Sequence, residues 1–208
     1  NIHGYYLNYK VLFKYLSTAG IPVIWTLHDC WPFTGHCTYF DFSGCNKWQT
    51  FCNKCPQKKE YPSSFFLDRS QKNFLEKREY FTSIPNLTIV PVSNWLSEIV
   101  SKSFLSKQKK QVINNGVNTE VFKPVKSKFI REKHNLVGKF IVLGVASDWS
   151  PRKGLKDFIQ LSKRIDNDIK IILVGLTKEQ LNIIPSNIIG VQKTDNINQL
   201  AEYYSESD

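Results

Sequence analysis

No methionine occurs among the 208 residues, and the chain opens at Asn1, so it is expected to be a piece of a longer chain or one that has lost its initiator. No apolar run approaches the roughly 20 residues a membrane-spanning helix needs, and no basic-then-apolar leader opens the sequence. Neither G-x-x-x-x-G-K-[ST] nor G-x-G-x-x-G is present, which excludes the two standard glycine-rich phosphate signatures. Internal repeats and low-complexity tracts are missing as well. Negative charge is in short supply: 28 Lys and Arg against 18 Asp and Glu leave a net +10. That balance favours anionic partners, namely nucleotide phosphates, an anionic membrane surface or nucleic acid. The basic residues gather at 102–110 and 123–133 without forming a single-sign block, so most of them read as a solvated face.

The five cysteines, at 30, 37, 45, 52 and 55, all fall early in the chain. An odd count without a leader argues against a secreted disulfide framework and for the cytoplasm. They sit in an irregular stretch, 30–62, rich in aromatics, Gly and Asn, and a loop of that length needs a reason to be ordered. Cys37-x7-Cys45-x6-Cys52-x2-Cys55 offers one, because four thiolates suit a tetrahedral structural Zn2+. Buried free thiols or a disulfide are the alternatives. Cys30 is left over and packs as a small apolar residue. Trp31, Phe33, Tyr39, Phe40, Phe42 and Trp48 read first as a local core around the cysteines and second as surfaces for stacking on sugar rings.

Along the chain, 1–16 reads as a helix or its approach, with Gly20 as a C-cap, and 21–27 as a short strand with His28-Asp29 at its end. Asp29 there also reads as a simple turn cap. Residues 64–83 read as a helix with Phe66, Leu67, Phe74, Leu75 and Phe81 as its apolar members. Strands at 89–92 and 111–113 flank a helix over 94–104 capped by Ser93, and Asn114-Asn115-Gly116 is a turn signal. The 117–133 stretch is an irregular basic connector. From there the rhythm is strand 140–146, helix 154–166, strand 169–174 closed by Gly175, helix 178–184, strand 187–191, helix 197–205. Alternation of this kind means α/β architecture with parallel sheets flanked by helices. The domain boundary is expected near 110–125.

The stretch 141–155 carries the sharpest chemistry. A β-branched apolar run passes through Ser150-Pro151-Arg152-Lys153-Gly154 into a segment where Leu155, Phe158, Ile159, Leu161 and Ile165 recur at helical spacing. Strand, tight loop and helix start form the ground plan of an anion site. A helix end contributes about 0.3–1 kcal/mol per charge and charge-assisted hydrogen bonds about 1.5–3, so Arg152 and Lys153 would dominate and the helix would orient. The plainer reading is a solvated Arg-Lys pair on a surface loop.

Several stretches together resemble the family 4 glycosyltransferases. Asn115-Gly116-Val117-Asn118-Thr119-x-x-Phe122-x-Pro124 is similar to their "NGVD…F.P" segment, and Trp149-Ser150-Pro151-Arg152-Lys153-Gly154 to their donor-phosphate loop. Leu173-Val174-Gly175 matches the next strand end, and Asn198-Gln199-Leu200-Ala201-x-x-Tyr204-x-x-x-Asp208 their "eL…Y..aD" helix. His28-Asp29-x-Trp31-x-x-Thr34-Gly35-x-Cys37, with the later cysteines and Pro56, resembles the subgroup that builds bacterial surface polysaccharides.

The resemblance implies a GT-B fold: two Rossmann-like domains with parallel sheets, facing each other across a cleft and here truncated at both ends. Residues 1–112 would be the remainder of the N-terminal acceptor-side domain, with 30–62 as a Cys-rich insertion. Residues 113–208 would be the first part of the C-terminal nucleotide-sugar-binding domain. The implied reaction is retaining transfer of a sugar from a nucleotide-sugar donor to a glycan or lipid-linked acceptor, with no catalytic metal. Arg152, Lys153 and Gly154 would hold the donor diphosphate, and Lys193 would lie near the base. His28 would contact the transferred sugar or acceptor, with Asp29, His3 and Gly4 on the same side. On bare statistics His28 is as well read as a hydrogen-bonded structural histidine. The implied location is cytoplasmic, peripheral at the inner face of the membrane, with no nucleic-acid partner. One departure stands out: the family's paired glutamates, spaced E-x7-E, are not found, and Glu202 and Glu206 have the wrong spacing. The competing readings are a zinc-stabilised nucleic-acid-binding protein and a non-catalytic relic of the same fold.

Overall fold

A computed structural model of the chain describes Ile2, residues 7–64 and residues 66–208. It divides into two compact units, Asn1–Asn115 and Gly116–Asp208. Among the described residues, no helix is long and apolar enough to cross a membrane.

The first unit carries α1 (Tyr9–Thr18), β1 (Val23–Leu27), α2 (Ser70–Phe81), β2 (Leu87–Pro91), α3 (Asn94–Ser101) and β3 (Lys109–Lys110). The strands form a parallel sheet in the order β1-β2-β3, with Leu27 level with Pro91. Asn8 caps α1 by accepting from the Lys10 and Val11 amides, and Gly20 takes a left-handed φ of +69° just beyond the helix end. Aromatic side chains fill the space between α1, β1 and α2: the rings of Phe13, Trp25 and Phe81 lie 4.3–5.0 Å apart.

Two expectations fail in this unit. The helix expected from residue 64 begins only at Ser70, because the Asp68 carboxylate accepts from the Ser70 amide (2.8 Å) and the Cys55 amide (2.7 Å) and holds the chain in a turn. Phe66 and Leu67 therefore lie outside the helix and are exposed, and the buried face of α2 is Ser70, Phe74, Lys77 and Phe81. The turn expected at Asn114-Asn115-Gly116 does not form either. Backbone bonds from Gln111 to Ile89 and from Ile113 to Pro91 continue the pairing past β3, and the turn comes at Asn118, whose carbonyl accepts from Val121 and Phe122.

The second unit carries α4 (Phe129–Lys133), β4 (Phe140–Val145), α5 (Leu155–Ser162), β5 (Ile169–Val174), α6 (Lys178–Ile183), β6 (Ile188–Val191) and α7 (Ile197–Glu206). Its parallel sheet runs β4-β5-β6. The near-continuous apolar run of β5 is explained by cover on both faces. With side chains alternating, Ile171 and Leu173 join a core with Phe158 and Ile159 of α5 and Leu181 of α6, while Ile172 and Val174 join one with Ile130 of α4 and Tyr203 of α7. Glu206, buried at the end of α7, accepts from the Ile130 amide (3.1 Å) and the Arg131 amide (2.9 Å) and so caps α4. Asp208 accepts from the Ile141 amide and from Arg131 Nη2 at 2.7 Å.

The tightest point of this unit is Gly175, at φ +97°, where a Cβ would lie 1.7 Å from the Ala146 carbonyl oxygen. Gly175→Ala is expected to cost roughly 2–4 kcal/mol, from backbone strain plus displacement of the loop above it. Denaturant unfolding measures this, and a variant as stable as the parent would contradict the packing described.

Candidate functional site

The ligand-binding edge of an open parallel sheet is the end where its strands terminate. In the second unit Val145, Val174 and Val191 are paired in register at that end. The loop after β4 leaves it under tight control. The Ala146 amide donates to the Val174 carbonyl (3.1 Å), as does the buried Trp149 through its indole Nε1 (2.9 Å). Gln180 Nε2 of α6 donates to the Trp149 carbonyl at 3.0 Å. The indole meets the Phe158 ring edge-on at 5.5 Å, and a Cβ on Gly144 would come within 2.8 Å of it. A large aromatic is seated here because residue 144 has no side chain.

From this anchor Pro151–Lys153 make one 3-10 turn, closed by the Lys153 amide on the Ser150 carbonyl at 2.8 Å. Gly154, at φ +79°, turns the chain directly into α5, where the first-turn amides point back toward the loop. Arg152 and Lys153 are both exposed on this turn. Lys193, also exposed, follows β6 at the same edge of the same sheet. The structure thus brings Arg152, Lys153, Gly154 and Lys193 to one edge. Two cations beside a helix start can hold a dianionic diphosphate.

In the first unit the corresponding edge is formed by Leu27 and Pro91. His28 follows β1 directly and is exposed. Asp29 is buried and accepts from the Trp31 amide at 2.9 Å, so it acts as the turn cap of Trp31–Phe33 rather than facing a ligand alone. Ser93 caps α3 by accepting from the Leu96 amide (3.1 Å), leaving Trp95 half exposed at the end of β2. His3 and Gly4 lie outside the described residues.

The cysteine segment builds its own site. Cys37, Cys45, Cys52 and Cys55 all line one small cavity with His36, Lys47 and Trp48. All five cysteines are free, and Cys30 is fully buried in the aromatic core. The Cys37 thiol is hydrogen-bonded to Cys55, which raises Cys37 and lowers Cys55, while burial pushes Cys52 up to about 11. Among the described residues, no three His, Cys, Asp or Glu side chains already stand in position to hold a metal ion.

Sequence reasoning missed Lys77, on the buried face of α2. Its Nζ donates to the Trp31 carbonyl (2.8 Å) and the Thr34 carbonyl (2.9 Å) and lies 3.5 Å from the centre of the Trp31 ring. Burial drives its pKa well below the ordinary lysine value, opposed by Cys37, Cys52 and Asp29. A lysine at i, i+3 and i+4 from apolar residues was the only signal available, and on most helices it would mean a solvated side chain.

No family model matches the chain. It is 32% identical over 125 residues to WcaC of Escherichia coli (strain K12), whose name assigns it to colanic acid biosynthesis as a glycosyl transferase. The match takes in 56% of this chain but 30% of that protein, so the chain spans about a third of its curated relative. Among solved structures, sucrose-phosphate synthase from Thermosynechococcus elongatus superimposes with a TM-score of 0.53 at 18% identity, over 74% of this chain and 41% of that one. The second likeness speaks to fold.

Trp149→Phe keeps the ring but removes the indole donor. It is expected to cost about 1 kcal/mol in unfolding free energy and to speed amide exchange across 147–154 by loosening the loop. Denaturant melts and hydrogen exchange check both, and unchanged exchange would show that the indole does not position the loop.

Proposed function

We propose that this chain, a partial segment of a group 1 glycosyltransferase of GT-B fold, supplies the diphosphate grip for transfer of a sugar from a nucleotide-sugar donor. The observation that carries the reading is the loop after β4, which fixes Arg152 and Lys153 at the start of α5 on the ligand edge of a parallel sheet.

In that reaction the bond between the anomeric carbon and the diphosphate oxygen breaks. A new bond forms from the acceptor oxygen, the proton of the acceptor hydroxyl passes to the departing diphosphate oxygen, and the nucleoside diphosphate leaves. Arg152, Lys153 and the first amides of α5 would hold the donor and neutralise the charge that develops as it leaves. Gly154 lets the chain turn into the helix close to the phosphates. Lys193, at the end of β6, would lie toward the nucleoside. His28 would contact the transferred sugar or the acceptor, with Asp29 holding the turn behind it.

We read the transfer as retaining, with no catalytic metal. The acceptor would be a glycan or a lipid-linked glycan of bacterial surface polysaccharide synthesis, a reading supported by the name of the WcaC relative. A cytoplasmic chain whose basic stretches 102–110 and 123–133 lie against anionic lipid would meet such an acceptor. A nucleic-acid reading has less support: within 37–55 only Lys47 and Lys54 are basic, and Lys47 Nζ is taken up by the Asn53 and Lys54 carbonyls.

In the intact enzyme, Arg152→Ala and Lys153→Ala are each expected to lower transfer by on the order of 10²-fold or more, with unchanged far-UV circular dichroism. Parental turnover in the double variant would overturn the assignment.

A further inference from the structure

Residues 30–62 contain no strand or α-helix, only the short 3-10 turns Trp31–Phe33, Asp41–Ser43 and Lys47–Gln49. Yet the segment is well packed: Phe33, Phe40 and Trp48 are buried, and the last two stack at 4.6 Å. A chain of this kind needs a tie. Four of its thiols line one small cavity.

Two further features of the cavity wall point to an anionic occupant. Lys47 is pinned to the Asn53 and Lys54 carbonyls, within the Cys52–Cys55 turn, and lines the same cavity. One buried N–H on the wall, Trp48 Nε1, has no hydrogen-bond partner. A buried donor left unpaired costs free energy, and a thiolate sulfur would accept from it. Gly35 completes the fit: a Cβ there would meet the Ser70 carbonyl oxygen at 2.2 Å and Cys52 Cβ at 2.7 Å, so the cysteine loop is pressed against the start of α2.

We propose that Cys37, Cys45, Cys52 and Cys55 bind one structural Zn2+ in this cavity. The four thiols line the cavity without converging on one point, so binding would draw them together. Binding converts four thiols to thiolates and releases four protons, giving a tetrahedral centre of net charge −2. Lys47 offsets part of that charge, and the Trp48 indole donates to one of its sulfurs. The ion would fasten 37–55 to itself and, through the Cys30 amide on the Thr38 carbonyl (2.9 Å), steady the turn that follows His28. This inference stands apart from the sugar-transfer reading, since a structural ion would be bound whether or not the chain catalyses anything.

The test is metal analysis of the full chain purified without chelators, under reducing conditions. The expected result is one zinc per chain, retained in Cys30→Ser and lost in Cys52→Ser and Cys55→Ser. Chelation should lower the thermal midpoint by about 5 °C or more, and cobalt substitution should give the visible bands of a tetrahedral thiolate site. Should the cysteine variants fail to fold, parental stoichiometry and the cobalt spectrum still decide. Zinc-free protein that takes up none on reconstitution, iron in place of zinc, a Cys37–Cys55 disulfide in the mass spectrum, or full zinc in Cys52→Ser would each overturn the proposal.

Discussion

The Ala146 carbonyl lies where any side chain on residue 175 would have to go. That close approach lets the loop after β4 fold down over the end of β5, so that the Trp149 indole reaches the Val174 carbonyl. The anchored loop then has one direction left: the short turn through Arg152 and Lys153 into α5. Two glycines with left-handed φ, 154 and 175, and one with no room for a side chain, 144, are the steric conditions for putting two cations at the sheet's edge. Charge supplies the affinity of such a site; backbone packing decides where the charge stands.

The first unit solves a different problem. Its sheet is short, and much of the chain beside it is irregular. Order there comes from polar ties to buried groups: Lys77 holds the 31–34 turn, Asp68 holds the Cys55 and Ser70 amides, and Asp29 holds the Trp31 amide. The thiol cavity sits among these ties. A segment without its own backbone ladder keeps its shape only while its buried polar groups are satisfied, and His36 Nε2, Trp48 Nε1, Gln57 Oε1 and Ser70 Oγ mark where satisfaction is incomplete.

How much could be read from the sequence varied with the physics. β5 was legible to the residue, because a strand covered on both faces is apolar almost throughout, Lys170 being its one charged residue. The Arg152-Lys153 turn was legible because Ser150 and Pro151 mark it. α2 was misjudged at its start, since Phe66 and Leu67 look like core but are exposed, and the Asp68 turn depends on a cysteine amide 13 residues earlier. Lys77 was invisible, because its burial is set by carbonyls that folding brings from 43 and 46 residues away. The Asn115-Gly116 turn signal lost to continued pairing with β2. Local chemistry was readable; partners supplied from a distance were not.

The central claim is that the loop between β4 and α5 is a diphosphate site. Amide-resolved NMR of the chain during titration with uridine, guanosine and adenosine diphosphates tests it most directly. The account predicts saturable shifts clustered at 147–156, at Gly175 and at 192–194 for at least one of them. Shifts confined to the basic stretches 102–110 and 123–133, or none that saturate, would contradict it.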